Sequence, residues 1–385
     1  MSLHNIRIEG VLTTTSPLHI TDSASARFDP TSNKPRYHTD TGGLPLTKTR
    51  SLDMMLPSTV KEGENEGLVV RRKTMVPVLP AQGLRGALRR SCARIIEDHF
   101  MLNLGQQISF QAYNGMHSGA ISGQLDKSLA TTDEIVRVRK HLFMGLFGGG
   151  PRMMRGNLKT SFGTPITTKT IDAGLVPDSV ADYQVDAEPY QLLGYMPVFR
   201  SDDTLKSHEP VAEQVVMNFV EAKEEAIKAV MLNRAAKASG EEGGERGISA
   251  MSYMEYIVPG TSFFVRHTIS GTRAQAGFLI EGIRRLAETQ TEKGIGGKTA
   301  AGFGQYQLSF DLIIDGVRHR EALKFGADDM FVLSSEAQAL IDEMQTELEA
   351  ITPMEMHNFM AFTETPEAAE DGKKAKKSKG NADAE

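Results

Sequence analysis

The stretch KGIGGKTAAGFGQY, from Lys293 to Tyr306, decides how the fold of this chain is interpreted. The alternating stretch QYQLSFDLII follows it and predicts a strand. A glycine loop that lies between a helix and a strand has the reverse order of a phosphate loop, which follows a strand and opens a helix. The helix before it is predicted by apolar residues at helical spacing on one face, namely Ala276, Leu279, Ile280, Ile283, Leu286 and Ala287.

The tetrapeptide GGKT within this stretch raises the alternative of a nucleotide-hydrolysing enzyme. The Walker pattern G-x-x-x-x-G-K-[ST] requires a glycine five places before Gly297, and that position is Glu292. The dinucleotide pattern G-x-G-x-x-G also fails, because Thr299 and Gln307 stand where its third glycine is needed. The sequence therefore disfavours both an ATPase and a dinucleotide enzyme.

The composition is that of an ordinary soluble protein of 385 residues, with 40% hydrophobic and 24% charged residues. The single cysteine, Cys92, excludes an internal disulfide and a cysteine zinc cluster, and its helical apolar surroundings predict a core thiol. Neither an apolar run of membrane-spanning length nor a signal-peptide pattern is found, so a cytoplasmic location without membrane contact is expected.

The net charge of −6 argues against a general polyanion binder, but the basic residues are clustered. Much of the acidic charge lies elsewhere, in EAKEEAIKAV, in GEEGGER and near the C-terminus. Arginine clusters beside turn glycines indicate phosphate contacts. The clusters are VVRRKTM (69–75), LRGALRRSCAR (84–94), IVRVRKH (135–141) and PRMMRGNLK (151–159).

The other segments supply the remaining elements. NIRIEGVLTTTSPLHI alternates and predicts the first strand, and residues 21–73 after it are too many for a passive connection. MVPVLPAQGLRGALRRSCARIIEDHF predicts a short extended piece, a turn, and a helix whose first N–H groups favour an anion. MEYIVPGTSFFVRHTI predicts two strands around a Pro-Gly turn. Further predictions are an irregular segment at 102–132, helices at 210–237 and 334–350, and a disordered Lys-rich tail at 366–385.

This order of elements predicts an α+β fold, a ferredoxin-like (RRM-like) βαββαβ core with large insertions. The predicted domain covers residues 1–365. Its helical or irregular insertions are expected at about 102–132 and 172–250.

Five motifs resemble those of one protein family, in the order in which that family carries them. The resemblance is to the RAMP superfamily, the repeat-associated RNA-binding proteins of CRISPR systems, and it extends from Asn5 to about Phe310. The motifs are SPLHITDS (16–23), MVPVLPAQGLRGALRR (75–90), HLFMGLFGGGPR (141–152), YIVPGTSFFVRHTI (256–269) and the glycine stretch (293–306).

Within that superfamily the length and the insertions resemble the backbone subunit of multisubunit class 1 CRISPR effectors. Without a clear catalytic constellation, the chain is more similar to the type IV branch than to the RNA-cleaving type III branch. The resemblance implies a ferredoxin-like palm and a thumb, a β-hairpin insertion at about 21–73. It also implies copies stacked head-to-tail along one guide RNA (crRNA) as an open filament. The implied partners are crRNA, target DNA or RNA paired with the guide, the large subunit, crRNA-end-capping RAMP subunits and, as a further candidate, a helicase.

A backbone subunit that accepts any guide should contact phosphate and ribose and leave the base edges free. Arginines, backbone N–H groups and glycines that admit a close approach suit this task. Neither a cofactor nor a metal site is predicted. Met54, Met55 and Leu56 are candidate thumb residues that part bases, with ordinary packing as the alternative. The predicted RNA-binding residues are His19, Arg27, Arg50, Arg71, Arg72, Gln82, Gly83, Arg85, Arg89, Arg152, Arg155, Gly296, Gly297, Lys298 and Thr299.

The alternative is a RAMP endoribonuclease that cuts target or precursor RNA. In the RNA-cleaving relatives an aspartate after the first strand cuts the target, and Asp22 and Asp29 lie in that neighbourhood. Asp29 stands beside a proline, as in that pattern, and His19 at the end of the first strand is a candidate general base. An aspartate in a Pro/Ser/Asn loop is more often a turn-former, however, and a lone histidine is usually structural. The expectation is therefore a non-catalytic subunit.

Overall fold

The computed structural model describes residues 2–39, 41–59, 67–119, 130–200 and 250–360, together with positions 218, 220–221, 223–225 and 228. The strands in these ranges are β1 (His4–Thr14), β2 (Ala26–Asp29), β3 (Lys34–Tyr37), β4 (Leu44–Thr47), β5 (Ser51–Thr59), β6 (Val69–Pro77), β7 (Gly148–Gly149), β8 (Met154–Arg155), β9 (Leu158–Thr160), β10 (Thr164–Pro165), β11 (Leu193–Arg200), β12 (Ala250–Ile257), β13 (Ser262–Gly271), β14 (Tyr306–Ile314), β15 (Val317–Phe325) and β16 (Phe331–Leu333). The α-helices are α1 (Ala81–Asp98), α2 (Phe110–Ser118), α3 (Thr132–Lys140), α4 (Leu142–Phe147), α5 (Thr168–Asp172), α6 (Arg273–Glu288), α7 (Gln290–Lys293), α8 (Ser335–Leu348) and α9 (Pro353–Met360). The chain thus has the predicted mixed α+β composition.

The largest sheet is built around β1, which confirms the predicted first strand. Its strand order is β10–β13–β1–β14–β15–β16, and β9 pairs with β13 beside β10. Every neighbouring pair is antiparallel, and Ile6 lies opposite both Ile269 on β13 and Ile314 on β14. Ile6, Ile8 and Leu12 lie on the same face of β1 and are buried, so they direct that face of the sheet towards the core.

Helices α1 and α6 pack in the same core as this sheet. The predicted apolar face of α6 is buried, apart from Leu286, which is partly buried. The two helices approach so closely that a Cβ on Gly282 would lie 2.4 Å from the Cys92 sulfur. Cys92 is fully buried, its thiol faces the Phe278 carbonyl oxygen at 3.6 Å, and burial raises its pKa. It is the core thiol that the sequence predicts.

The first half of the insertion after β1 contributes to a second sheet. Strands β2, β3 and β4 join β11 and β12 in the order β11–β12–β4–β2–β3. Phe28 forms the centre of this sheet's small core, with its ring stacked 4.0 Å from the Tyr253 ring and tilted 5.3 Å from that of Tyr195. The segment is therefore not an isolated insertion, because its strand β4 pairs with β12, about 200 residues away in the chain.

The second half of the insertion is a two-stranded hairpin formed by β5 and β6. Its pairing begins with Ser51 opposite Pro77, so the hairpin extends past the predicted end at residue 73. The three proposed base-parting residues lie in the middle of β5, not at its end. Leu56 is only 1% exposed, so that part of the prediction is wrong, whereas Met54 is half-buried and Met55 is 52% exposed.

Several local predictions are also tested. The strand pair around the Pro-Gly turn is confirmed as β12 and β13, with Gly260 at φ +85°, and the predicted helix at 334–350 is α8. The segment 102–132 is not irregular throughout, since α2 lies within it and is capped by the Ser109 side chain. Most of the predicted helix at 210–237 and the whole tail at 366–385 lie outside the described residues.

Candidate nucleic-acid interface

The glycine stretch lies between α7 and β14, which confirms the predicted order of helix, loop and strand. The loop runs beside the chain that leaves β1. The Gly304 N–H donates to the Pro17 carbonyl oxygen at 2.9 Å, and the Gly297 N–H donates to the His19 carbonyl oxygen at 2.8 Å. These bonds fix the loop as an extension of the sheet edge.

Four of the five glycines in this loop are explained by its own conformation. At Gly294, Gly296 and Gly304 an added Cβ would lie within 2.6 Å of a backbone carbonyl oxygen, and Gly302 has a φ of +80°. Gly297 differs, because its φ is not left-handed and the nearest atom to its Cβ would be 3.7 Å away, an ordinary contact. Gly297 therefore carries the conformational entropy cost of a glycine, although no other part of the fold occupies the space left by its missing side chain.

On its other side, the segment after β1 pairs with the insertion. The Arg50 N–H donates to the Ile20 carbonyl oxygen at 2.7 Å, and the Val78 N–H donates to the Arg50 carbonyl oxygen at 3.1 Å. Leu79 and Gly163 exchange two hydrogen bonds of 2.9 Å. Because chains in such a ladder lie about 4.8 Å apart, the glycine loop, the hairpin base and the start of α1 fall within roughly 15 Å of one another. We call this surface, formed by residues 19–21, 49–50, 78–83 and 294–299, the glycine edge.

Helix α1 begins at the glycine edge with an uncapped first turn. Its N-cap residue, Pro80, provides no side-chain acceptor, and within the described part of the chain no group accepts the N–H of Ala81, Gln82 or Gly83. Such free N–H groups at the positive end of an 18-residue helix attract an anion. Gly83 is exposed, and its Cβ would meet nothing closer than 3.9 Å. Like Gly297, it is a glycine that the fold does not require.

Unpaired cations stand at the glycine edge and on the hairpin. Lys298, Arg71 and Arg72 are exposed and form no ion pair with any described residue. Arg72 lies five residues from the hairpin base, roughly 17 Å along the strand. Arg50 differs, because it pairs with Asp22 at 3.2 Å. The positive charge available to a ligand therefore runs from the glycine edge along β6.

A buried glutamate on β12 is hydrogen-bonded to residues of the glycine edge. Glu255 on β12 accepts the Tyr37 hydroxyl at 2.6 Å and the Thr49 N–H at 2.9 Å, and the Tyr37 hydroxyl also meets that of Tyr195 at 2.8 Å. The Glu255 carbonyl oxygen accepts from His19 Nδ1 at 2.7 Å. Burial raises the pKa of Glu255, and the hydrogen bonds to its carboxylate oppose that rise. Sequence reasoning missed this network because its members are dispersed along the chain and form no local motif.

The two candidate catalytic side chains are both engaged in structural contacts. His19 is buried between the Glu255 carbonyl oxygen and the Thr21 hydroxyl, which is 3.2 Å from its Nε2, and burial lowers its pKa. Asp29 forms the turn between β2 and β3 and pairs with Arg36 at 2.6 Å, which lowers the pKa of Asp29. Among the described residues, no group of three His, Cys, Asp or Glu side chains could hold a metal ion.

Arg89, predicted to bind RNA, is a core residue. Its side chain is 6% exposed, and its guanidinium donates to the carbonyl oxygens of Met116 at 2.8 Å and Gly148 at 2.7 Å. These carbonyls belong to the C-terminal ends of α2 and α4, which lack partners within their own helices. Burial, and then the nearby Arg85, lowers the pKa of Arg89 to about 10. The prediction for Arg89 is therefore wrong.

Arg85 has a similar but less buried position. Its Nη2 donates to the Phe147 carbonyl oxygen at 2.6 Å, its guanidinium lies 5.8 Å from the Phe147 ring, and burial lowers its pKa. The motif LRGALRR, two of whose arginines were predicted to contact RNA, therefore binds the motif HLFMGLFGGG. A signal for this was available in the sequence, because the glycines after LF end a short helix and leave its carbonyl groups for an arginine to satisfy.

The remaining predicted residues lie in varied surroundings. Arg27 on β2 is half-buried, with Nη1 3.4 Å from the Gly43 carbonyl oxygen, and Thr299 opens a short 3₁₀ turn. Arg152 forms an ion pair with Glu134 on α3.

Arg155 is exposed, but it lies at the other end of the sheet. Lys159, four residues further along the chain, is opposite Thr268 on β13, six residues from Ser262, which lies opposite Thr13 near the end of β1 that leads to the glycine edge. That separation is roughly 20 Å along the strand. The structure thus divides the predicted set between two distant surfaces.

Comparison with known proteins gives the following similarities. A family model described as the RAMP superfamily matches residues 11–307, a range that includes the glycine edge. No curated protein matches the chain significantly. A chain of a solved Type IV-B CRISPR complex is similar, with 15% identity, coverage of 80% of this chain and 90% of that one, and a TM-score of 0.40. In the described part of the chain, no helix is long and apolar enough to span a lipid bilayer.

Proposed function

Because the chain belongs to the RAMP superfamily, we propose that it is a CRISPR effector subunit that binds guide RNA along its phosphate backbone at the glycine edge. The observation that carries this proposal is the pair Gly83 and Gly297, which have neither a left-handed φ nor a close neighbour to explain them. Both stand beside free donors, the first-turn N–H groups of α1 and the Lys298 ammonium. A missing Cβ next to a donor is what a closely approaching phosphate requires.

This chemistry suits a subunit that must hold any guide sequence. Backbone N–H groups and a lysine contact phosphate oxygens, which are the same at every nucleotide, and they leave the base edges free to pair with a target. The Glu255 network keeps these donors in place, because it ties Thr49 and His19 to β12. Binding should therefore depend steeply on salt and weakly on sequence.

In the proposed architecture the palm is ferredoxin-like and the β5–β6 hairpin is the thumb. The order β9–β13–β1–β14, with α1 after the first strand and α6 before the last, supports the βαββαβ palm. The exposed Met55, Arg71 and Arg72 would meet the RNA from the thumb side. On this proposal, copies stack head-to-tail along crRNA, in a type IV-like complex in the cytoplasm with a large subunit, end-capping RAMP subunits, a target strand and a helicase as partners.

The proposal includes that the subunit does not cut RNA. The supporting observations are the buried position of His19 and the pairing of Asp29 with Arg36. Incubation of the protein–RNA complex with a complementary RNA and Mg²⁺ should leave both strands intact. Cutting that is lost in Asp29→Ala or His19→Ala would favour the endoribonuclease instead.

The test of the binding proposal is to produce the full chain with a guide RNA and partner subunits, and to size the RNA that copurifies. We expect RNA of defined length, and a loss of affinity in Lys298→Glu that is the same for unrelated RNA sequences. Lys34→Glu, an exposed lysine on β3 with no ion pair among the described residues, is the matched control. An RNA-free preparation, or equal behaviour of the two variants, would contradict the proposal.

A further inference from the structure

A groove at the far end of the main sheet has no role in the proposed function. It lies between α3 and the β8–β9 segment and has a volume of about 390 Å³. We call it the α3 groove. Its lining includes Ile135 and Arg139 from α3, Met153, Arg155 and Lys159 from the facing segment, and Ser270 from β13.

The charge of the α3 groove is entirely positive. Arg139, Arg155 and Lys159 are exposed, and no Asp or Glu is among the lining residues. None of the three forms an ion pair with a described residue, whereas the adjacent Arg152 pairs with Glu134. Three like charges around one groove repel one another, and an anion that occupies the groove relieves this repulsion.

The groove also presents apolar side chains between its cations. Met153 is 58% exposed and Ile135 is 38% exposed. Met153 has a φ of +51°, a left-handed conformation that is unfavourable for a residue with a side chain, and it holds this methionine at the turn between β7 and β8. Cations that alternate with apolar side chains match a polymer that alternates phosphates with sugars and bases.

From these observations we infer that the α3 groove is a second binding site for a nucleic-acid phosphodiester backbone. The site is distinct from the glycine edge, because the two share no residue, and Lys159 is four residues, or roughly 13 Å along the chain, from Gly163, which pairs with Leu79 of the glycine edge. The inference rests on the proposed function only in taking the chain to be a nucleic-acid binder. The strand in the groove is either a further part of the guide or the target strand paired with it, and the chemistry of recognition is the same.

The test uses the full chain in two titrations over a range of salt concentrations. The first measures binding of a 40-nucleotide single-stranded RNA, and the second measures capture of a complementary strand by the preformed protein–RNA complex. The variant is Arg139→Glu with Arg155→Glu, and its neutral counterpart is Arg139→Gln with Arg155→Gln, which separates lost attraction from added repulsion. The control for net charge is Arg320→Glu with Lys34→Glu, two exposed cations outside both sites. Lys298→Glu is measured in parallel.

Loss of two phosphate contacts should reduce the slope of log affinity against log salt by about 1.4, which corresponds to roughly 25-fold weaker binding at 0.1 M salt. This loss in the first titration supports the inference and assigns the groove to the guide, and loss only in the second supports it and assigns the groove to the target strand. Groove variants that behave like the control in both titrations overturn the inference. If Lys298→Glu still weakens binding in that case, the proposed function stands without it. A wild-type chain that binds neither strand overturns both.

Discussion

The glycine edge and the Arg85–Arg89 segment have similar sequences, since each places basic residues beside glycines, yet the fold uses them in opposite ways. Arg89 is buried, and its guanidinium donates to the carbonyl groups that end two helices. Lys298 is exposed and meets no carboxylate in the described part of the chain. The difference lies in the groups that face each cation. Carbonyl groups at a helix C-terminus accept hydrogen bonds from a cation, whereas N–H groups at a helix N-terminus cannot, so a cation near them stays free to bind an anion. A basic motif therefore indicates binding only after its local acceptors have been counted.

The largest expected effect is on stability, and it tests the structural role of Arg89. In Arg89→Met the carbonyl oxygens of Met116 and Gly148 lose their donors in the core, which should cost about 3 kcal/mol or more of unfolding free energy. Urea denaturation measures the loss. Lys298→Met, the matched change at the glycine edge, should alter the unfolding free energy by no more than about 0.5 kcal/mol. Equal losses of unfolding free energy in the two variants would contradict the distinction between a structural Arg89 and a ligand-binding Lys298.

The second prediction concerns acid stability in the segment that Arg89 holds. His141 caps α4, with its Nδ1 accepting the N–H groups of Phe143 and Met144 at 3.1 Å, and burial followed by Arg137 lowers its pKa to about 4. Since the unfolded pKa is 6.5, this contribution is complete above pH 6.5 and is lost as the pH falls towards 4. The loss should reach roughly 3 kcal/mol.

This loss is measured by urea denaturation of the wild-type protein at pH 7 and pH 4.5. The control is His141→Asn, which keeps an N-capping side chain but cannot be protonated in this range. The wild-type protein should lose more stability between the two pH values than the variant does. The same loss of unfolding free energy in the wild-type protein and the variant would show that protonation of His141 does not cause the loss of stability in acid.

Particular elements show how far the sequence could lead. The alternation of Ile6, Ile8 and Leu12 and the helical spacing on α6 predicted the central strand and its covering helix, because burial on one face leaves a periodic pattern. The boundary of the hairpin was missed because three exposed charged residues, Arg71 to Lys73, interrupt β6, so no alternation runs to its end.

The candidate site was less predictable, for two physical reasons. Arg89 and Lys298 have the same kind of neighbours in the sequence, and only the fold shows that carbonyl groups lie opposite one of them. The pairing of Tyr37, Tyr195 and Glu255 depends on the meeting of distant strands, which no local pattern encodes. The glycine loop itself was recognisable because its order after a helix and before a strand is a local property.

A smaller effect is expected on RNA affinity, and it tests the binding role of the exposed cations on the hairpin. Arg71→Ala with Arg72→Ala removes two exposed cations from β6 and should weaken RNA binding by up to roughly 25-fold at 0.1 M salt, with a slope lowered by about 1.4. The unfolding free energy should stay within about 0.5 kcal/mol of wild type. A fluorescence titration against salt and a urea denaturation of the same preparation measure both quantities. Unchanged RNA affinity would exclude the hairpin from the interface.

The central claim is tested most directly by Gly83→Ala, studied by urea denaturation and by RNA titration. Alanine favours a helix over glycine by up to about 1 kcal/mol, and the structure leaves room for its Cβ, so the variant should be as stable as wild type or more so. The same methyl group would stand where a phosphate is proposed to approach the first turn of α1. We therefore predict a protein that is no less stable and binds RNA more weakly. A gain in stability with unchanged RNA affinity would contradict the assignment of the glycine edge.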